Sequence, residues 1–157
     1  MNTTTTTAPA LTHAEQNAAG HIETITTAHE AWEFCQDDNA EARELSREAR
    51  RLLREHGYDG DNRTTTGEAI AQAMQEQALS VDVRSGWSTP GDLEPEEYQL
   101  LLSTGGPALR IIGRLDRGQP SSARMQHQDW STPWIEWAPG ANEEALLWFA
   151  GLFWFGA

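Results

Sequence analysis

The feature that most constrains the fold is a change in the spacing of apolar residues at Leu79. Before Leu79, apolar residues recur at the three- and four-residue spacing of helices, and after it they alternate with polar residues. Several short alternating segments follow one another, separated by turns rich in Gly, Pro and Ser. Because these segments are grouped and do not alternate with helices, they predict an antiparallel meander.

Two helices are predicted before this sheet. The first extends from Ala40 to His56, with Asn39 as its N-cap, and its apolar stripe consists of Ala42, Leu45, Ala49, Leu52 and Leu53. The second extends from about Thr66 to Ala78, because Thr65 and Glu68 have the spacing of a capping box.

Four strands and a last helix are predicted after Leu79. The strands are Val81 to Trp87, Tyr98 to Ser103, Leu109 to Leu115 and about Ala123 to Trp130. A helix from Glu143 to about Phe153 follows the potential cap Asn142. The predicted fold class is therefore α+β, with two N-terminal helices, a four-stranded antiparallel meander and a C-terminal helix, the helices packing on one face of the sheet.

The first 27 residues contain few large apolar side chains. They are mostly Thr, Ala, His and Asn, which offer little burial to offset the entropy of ordering. We therefore expect residues 1–27 to form a disordered or loosely docked tail and residues 28–157 to form a single domain. That length suits one domain with its own core.

The chain is strongly acidic. It has 24 acidic residues against 11 arginines and no lysine, giving a net charge of -13. Such a surface repels phosphate backbones, so direct binding of nucleic acid is not expected unless a local patch reverses the sign. A basic partner, or imitation of DNA by carboxylates, fits this charge better.

Several features indicate the compartment. Cys35 is the only cysteine, so no internal disulfide can form, which favours a reducing compartment, the cytoplasm by default. The N-terminus lacks the basic and apolar regions of a secretory signal. The longest apolar run, Ala145 to Phe155, is too short for a membrane span.

No motif for catalysis or a cofactor is found. His29 and Glu33 come close to a zinc-binding H-E-x-x-H, but the second histidine is replaced and no third ligand has a motif spacing, so no metal site is predicted. Gly86 to Pro90 only superficially resembles a nucleophile elbow, and no glycine-rich phosphate loop occurs. We expect a protein that is not an enzyme and has no cofactor.

An arginine stripe is predicted along the first helix. Arg43, Arg47, Arg50 and Arg54 fall within about one third of its circumference. They could hold phosphates, or they could form a solvated face that balances the acidic remainder of the chain.

A second candidate surface combines carboxylates with aromatic residues. The run Asp92, Glu94, Glu96 and Glu97 falls in a strand connection, and carboxylates on a rigid scaffold can compete for the positive groove of a nuclease. The sequence Trp-Ser-Thr-Pro occurs after Gly86 and again after Asp129, either as two similar turns or as two loops of one recognition surface. The candidate partner-binding residues are Asp92, Glu94, Glu96, Glu97, Trp87, Asp129, Trp134 and Trp137.

The second half of the chain resembles small acidic proteins carried by phages, plasmids and integrative elements of Gram-negative bacteria. The resemblance lies in Val83 to Trp87, Leu101 to Ala108, Gln128 to Trp134 and Phe153 to Gly156, and it covers about half of the chain. Small acidic products of such elements often resemble anti-CRISPR and anti-restriction inhibitors, which bind host defence proteins. The resemblance implies a similar role here.

Charge and resemblance together predict a non-enzymatic inhibitor. It would bind a Cas effector or restriction nuclease and block the nucleic-acid-binding surface by acidic mimicry of DNA. The alternative is a nucleic-acid-binding or regulatory protein of a mobile element that uses the arginine stripe. A homodimer is possible in either case.

Overall fold

Four helices and one antiparallel sheet make up the described part of this computed structural model, which comprises residues 9–37 and 44–156. The helices are α1 (His13–Gln36), α2 (Arg47–Glu55), α3 (Arg63–Gln75) and α4 (Glu143–Ala150). The strands are β1 (Ser80–Arg84), β2 (Glu97–Ser103), β3 (Ala108–Asp116), β4 (Gln119–Pro120), β5 (Arg124–Gln128) and β6 (Ile135–Glu136). Among the described residues, no helix combines the length and the apolar character needed to cross a bilayer.

Helix α1 corrects the prediction of a tail over residues 1–27, which is wrong from His13 onward. The helix begins at a capping box, in which Thr12 Oγ1 accepts from the backbone N–H of Glu15 and the Glu15 carboxylate accepts from that of Thr12. Its buried side is made largely of small residues, namely Ala14, Ala18, Ile25, Ala28 and Ala31. Alanine permits close packing without a strongly apolar sequence, so composition concealed this helix.

Helix α2 begins later than predicted, because residues 44–46 are not helical. Its N-cap is Ser46, whose Oγ accepts from the backbone N–H of Ala49 at 3.1 Å. The Glu30 carboxylate of α1 holds this cap, accepting from the Ser46 backbone N–H at 2.7 Å and from its hydroxyl at 2.6 Å. The predicted cap Asn39 and the predicted helical residues 40–43 lie outside the described residues. The second predicted helix is present as α3, but it begins at Arg63 and ends at Gln75. Its N-cap is Asn62, so the predicted capping box of Thr65 and Glu68 is wrong.

The sheet is a meander, as predicted, but it has more strands than four. Its order is β1-β2-β3-β5-β6, all pairs are antiparallel, and β4 pairs with the end of β3. The prediction of four strands is wrong because β4 and β6 have two residues each and therefore no periodicity to detect. The four longer strands match the predicted segments, with ends that differ by a few residues.

One face of the sheet forms the core with the helices. Alternate residues of β2, β3 and β5 are buried there, namely Tyr98, Leu100, Leu102, Leu109, Ile111 and Met125. Helix α1 packs against β3 and β5, and α4 adds Leu146 and Phe149 to the same core. Helix α4 ends at Ala150, three residues before the predicted end, and Phe155 then packs on Tyr98 at 4.8 Å between ring centroids.

Cys35 of α1 packs against Gly67 of α3. It is buried, and burial raises the pKa of its thiol. A Cβ placed on Gly67 of α3 would lie 3.0 Å from the Cys35 Cβ, so the glycine permits this approach. These contacts are those of a structural thiol.

Two glycines give opposite predictions for substitution by alanine. A Cβ on Gly113 of β3 would lie 1.8 Å from the Ser122 carbonyl oxygen and 2.7 Å from the Tyr98 ring, whereas Gly20 of α1 has nothing within 4 Å. We expect Gly113→Ala to lower the free energy of unfolding by about 1–3 kcal/mol through overpacking. Gly20→Ala should raise it by roughly 0.5–1 kcal/mol, because alanine favours the helix. Urea unfolding followed by circular dichroism measures both, and equal effects would contradict the packing described here.

Candidate binding surface

The face of the sheet opposite the helices carries polar side chains. Neighbouring residues of a strand point to opposite faces, so the positions between the buried residues of β2, β3 and β5 lie on this open face. Its residues include Arg84, Glu97, Gln99, Arg110, Arg114, Arg124 and Gln126. Four arginines therefore share one side of a sheet in a chain of strongly negative net charge.

Arg110 is fixed at the centre of the open face. Its Nη1 donates to Gln99 Oε1 at 2.7 Å, and its Nε and Nη2 donate to Gln126 Oε1 at 2.9 and 2.8 Å. The guanidinium lies 4.0 Å from the ring centroid of Trp134, in the geometry of a cation–π contact. Burial, together with the charges of Arg84 and Arg124, lowers the pKa of Arg110.

Glu97 lies beside the arginines. Arg84 Nε donates to its carboxylate, and the register places Arg84 and Arg114 on its two sides. The hydrogen bond from Arg84, with the positive charges of Arg84, Arg114 and Arg124, lowers the pKa of Glu97. Glu97 was predicted to belong to a partner-binding acidic run, but the structure places it on the open face in an ion pair.

A groove of about 640 Å³ runs along this region and is balanced in charge. Its lining includes four arginines, Arg84, Arg110, Arg114 and Arg124, and four acidic residues, Asp82, Glu97, Glu136 and Glu143. Sequence reasoning missed the four arginines as a group, although each occupies a polar position of an alternating strand. Strand register, which the sequence does not state, brings them together.

The connection from β1 to β2 carries the rest of the acidic run. The backbone N–H of Glu96 donates to the Arg84 carbonyl at 3.0 Å, and that of Leu115 donates to the Glu96 carbonyl at 2.8 Å. The first of these bonds joins the two ends of the connection. Within it, Trp87 is fully exposed and Leu93 is two thirds exposed. Asp92, Glu94 and Glu96 are exposed in the same connection. We call residues 85–96 the acidic loop.

The remaining predicted partner-binding residues lie elsewhere. Trp137 is half-buried against the core, 6.0 Å from His127 between ring centroids. Asp129 belongs to the turn after β5, where its backbone N–H donates to Thr132 Oγ1 at 3.0 Å. The eight predicted residues therefore form separate groups, in the acidic loop, on the open face, in the turn after β5 and beside the core.

The two copies of Trp-Ser-Thr-Pro are both turns, but their tryptophans differ. A Cβ on Gly106 would lie 1.8 Å from Trp130 Nε1, so this ring rests on the backbone of the neighbouring turn. Trp87 is fully exposed. The repeat therefore leaves Trp87 as the more accessible of the two aromatic rings.

The predicted arginine stripe is present in part. Arg47, Arg50 and Arg54 are exposed on α2, whereas Arg43 lies outside the described residues. Arg51, which was not in the predicted stripe, pairs with Glu55 across one helical turn at 3.5 Å. Among the described residues, three of the four predicted arginines therefore lie on α2.

One cluster among the described residues could hold a metal ion. His29 and Glu33 of α1 meet Glu144 of α4, with one potential ligand atom from each within 4.8 Å of the others. His29 Nε2 lies 3.7 Å from Glu33 Oε1, and its ring stacks on Trp148 at 5.2 Å. Sequence reasoning found no third ligand because Glu144 is more than 100 residues away along the chain. A histidine with two carboxylates matches the ligands of zinc and similar divalent cations.

Comparison with known proteins gives no match: no family model, no curated protein and no solved structure is significantly similar to this chain. The function proposed below therefore rests on the residues of the chain and on the resemblance expected from its sequence.

The ion pair on the open face gives a prediction about pH. The pKa of Glu97 is lower in the folded chain than in the unfolded chain, so its ionised form stabilises the fold. This stabilisation is fully present above the pKa of the unfolded chain and is lost as pH falls through the pKa of the folded chain. We expect Arg84→Ala to raise the pKa of Glu97 toward the ordinary value, because the largest cause of the shift is the hydrogen bond from Arg84. An NMR titration of the glutamate carboxyl carbons measures it. Arg117→Ala, in the turn after β3, is the matched control and should leave the pKa of Glu97 unchanged.

Proposed function

We propose that this chain is a non-enzymatic inhibitor that binds a nucleic-acid-binding protein of a bacterial defence system, such as a Cas effector or a restriction nuclease. The acidic loop is the proposed contact surface, and its carboxylates would occupy the positions of DNA phosphates. The observation that carries the proposal is the exposure of Trp87 and Leu93 beside Asp92, Glu94 and Glu96 on a loop that is anchored at both ends.

Exposed apolar residues among carboxylates favour a protein partner. Tryptophan is enriched among the residues that dominate binding energy, because its large ring fills a pocket that excludes water. Carboxylates around such a ring steer the approach of a positively charged surface and disfavour other partners. The acidic loop provides both, with Trp87 as the proposed anchor and Asp92, Glu94 and Glu96 as the steering charges.

The partner class follows from charge and resemblance. A net charge of -13 selects for positively charged surfaces, and the commonest such surfaces bind nucleic acids. The resemblance of residues 79–156 to mobile-element proteins favours a defence protein as the target. The open face lies directly beside the acidic loop, since Glu96 and Glu97 are consecutive, and its arginines and Trp134 can extend the contact.

A second candidate is direct binding of nucleic acid through arginines. The observation that favours it is the exposure of Arg47, Arg50 and Arg54 on one short helix. Their charges would contact phosphates, and binding would weaken as salt rises. The acidic remainder of the chain opposes this function, so we place it second.

Capture of a defence complex tests the first candidate. Tagged protein is incubated with bacterial lysates that contain CRISPR-Cas and restriction complexes, and the captured complex is then titrated across a salt series with DNA as competitor. We expect capture that weakens as salt rises and that DNA competes away. Trp87→Ala should weaken the affinity by about 30-fold or more, as expected for loss of a central anchor.

Matched charge variants separate the two candidates. The triple variant Asp92→Asn, Glu94→Gln, Glu96→Gln should slow association with the partner, whereas the matched triple variant Asp61→Asn, Glu68→Gln, Glu76→Gln, which removes three exposed carboxylates in or beside α3, should not. Absence of affinity for any nucleic-acid-binding defence protein would refute the first candidate. A DNA or RNA mobility shift that is lost in Arg47→Ala, Arg50→Ala, Arg54→Ala would instead establish the second.

A further inference from the structure

Strand β1 is the outer strand of the sheet and is left uncovered. It pairs with β2 on one side only, since the sheet order begins at β1. Val81 and Val83 point to the same face as buried Tyr98, because Val83 is directly opposite Tyr98. They are nonetheless 41% and 47% exposed, and Leu79 just before them is 59% exposed.

Such an edge is unusual in a folded protein. An outer strand presents unpaired backbone donors and acceptors, and proteins commonly shield it by shortness, proline, bulges, charged side chains or a covering segment. The opposite edge, β6, has two residues and follows that rule. Strand β1 has five residues, contains no proline and pairs with β2 in unbroken register. It carries one charge of each sign, Asp82 and Arg84, which repel a like-charged edge but are complementary to each other. The edge at β1 is therefore suited to pair with another strand.

We infer that β1 pairs antiparallel with β1 of a second copy of this chain, with Val83 facing Val83 at the two-fold axis. The charges of the strand select this register. Asp82 would face Arg84 of the second copy, and Arg84 would face its Asp82, so that two opposite-charge pairs form on the open face. Opposite charges directly across a strand pair are stabilising.

Other two-fold registers are less favourable. Two residues that face each other across an antiparallel pair lie on the same side of the sheet, and side chains alternate between sides along each strand. If the helices of both copies are to lie on the same side of the joined sheet, the two-fold axis must therefore place one residue opposite its own copy, and it cannot fall between two consecutive residues. An axis through Asp82 would place two aspartates opposite each other, and an axis through Arg84 would do the same with two arginines. An axis through Val81 would place Asp82 opposite Ser80, without a charge pair. Only the axis through Val83 gives charge complementarity within β1.

The same register accounts for the exposure of Val83. Val83 would be covered by Val83 of the second copy on the helix side of the sheet, and its exposed apolar surface would leave water. A two-fold contact uses the same strand in both copies, so the assembly closes at two chains. The two-residue strand β6 offers little for further pairing. This second copy is a different partner from the defence protein proposed above.

Charge reversal tests the pairing and its register. Light scattering after size-exclusion chromatography, over a wide range of protein concentrations, should give twice the monomer mass of 17.4 kDa for the wild type at high concentration. Asp82→Arg places arginines opposite each other and should weaken dimerisation by about tenfold or more. Val83→Cys places two cysteines opposite each other at the two-fold axis and should form a disulfide-linked dimer under a mild oxidant, whereas the wild type, whose single cysteine Cys35 is buried, should not. Asp61→Arg, an equal charge change far from β1 along the chain, is the matched control and should dimerise as the wild type does.

Each contrary result overturns the inference. A wild type that stays monomeric at every concentration refutes the dimer. A dimer that Asp82→Arg leaves unchanged, or that Val83→Cys does not cross-link, refutes pairing in this register. Circular dichroism of each variant shows that the fold is retained, which is expected because both substituted side chains are exposed.

Discussion

The packing of α1 is the contact on which the rest of the structure depends. This helix touches α2, α3, α4, β3 and β5, so it joins both halves of the chain. Its buried side is built mainly from alanines, which allow neighbouring elements to approach closely, while Ile25 and Phe34 supply larger apolar surface. At its far end the Glu30 carboxylate positions the N-cap of α2. One helix therefore determines where the other helices lie and which face of the sheet is covered.

The surfaces that α1 and the other helices leave exposed are the candidate binding surfaces. Because the helices occupy one side of the sheet, the other side keeps its polar residues in contact with solvent, held in register by Arg110 and its two glutamines. The helices also leave β1 exposed, so Val81 and Val83 remain accessible. The open face, the acidic loop and the edge at β1 adjoin one another, since the loop begins where β1 ends and leads into β2.

The sequence predicted the elements whose signal is periodic and missed those without one. Strands β2 and β3 alternate over seven and nine residues, and their predicted bounds differ from the observed ones by one residue at most. Helix α1 was not among the predicted helices, because alanine and threonine carry little apolar signal, although Thr12 and Glu15 have the spacing of a capping box. The clusters that depend on tertiary contact, such as His29 with Glu144, could not be predicted because sequence distance carries no information about which helix ends meet.

The charge distribution separates the carboxylates that suit the proposed mimicry of DNA from those that do not. On the open face, four arginines oppose four carboxylates, and Glu97 is held by Arg84, so a partner there would meet a nearly neutral surface. The excess of negative charge must therefore lie elsewhere, and the acidic loop is one of its exposed locations. Mimicry of phosphates requires carboxylates that are free to meet a partner's cations, which the exposed Asp92, Glu94 and Glu96 provide, whereas the Glu97 carboxylate is already paired with Arg84. The same argument makes the open face better suited to extending a contact than to initiating one, because its arginines and carboxylates offset each other at long range.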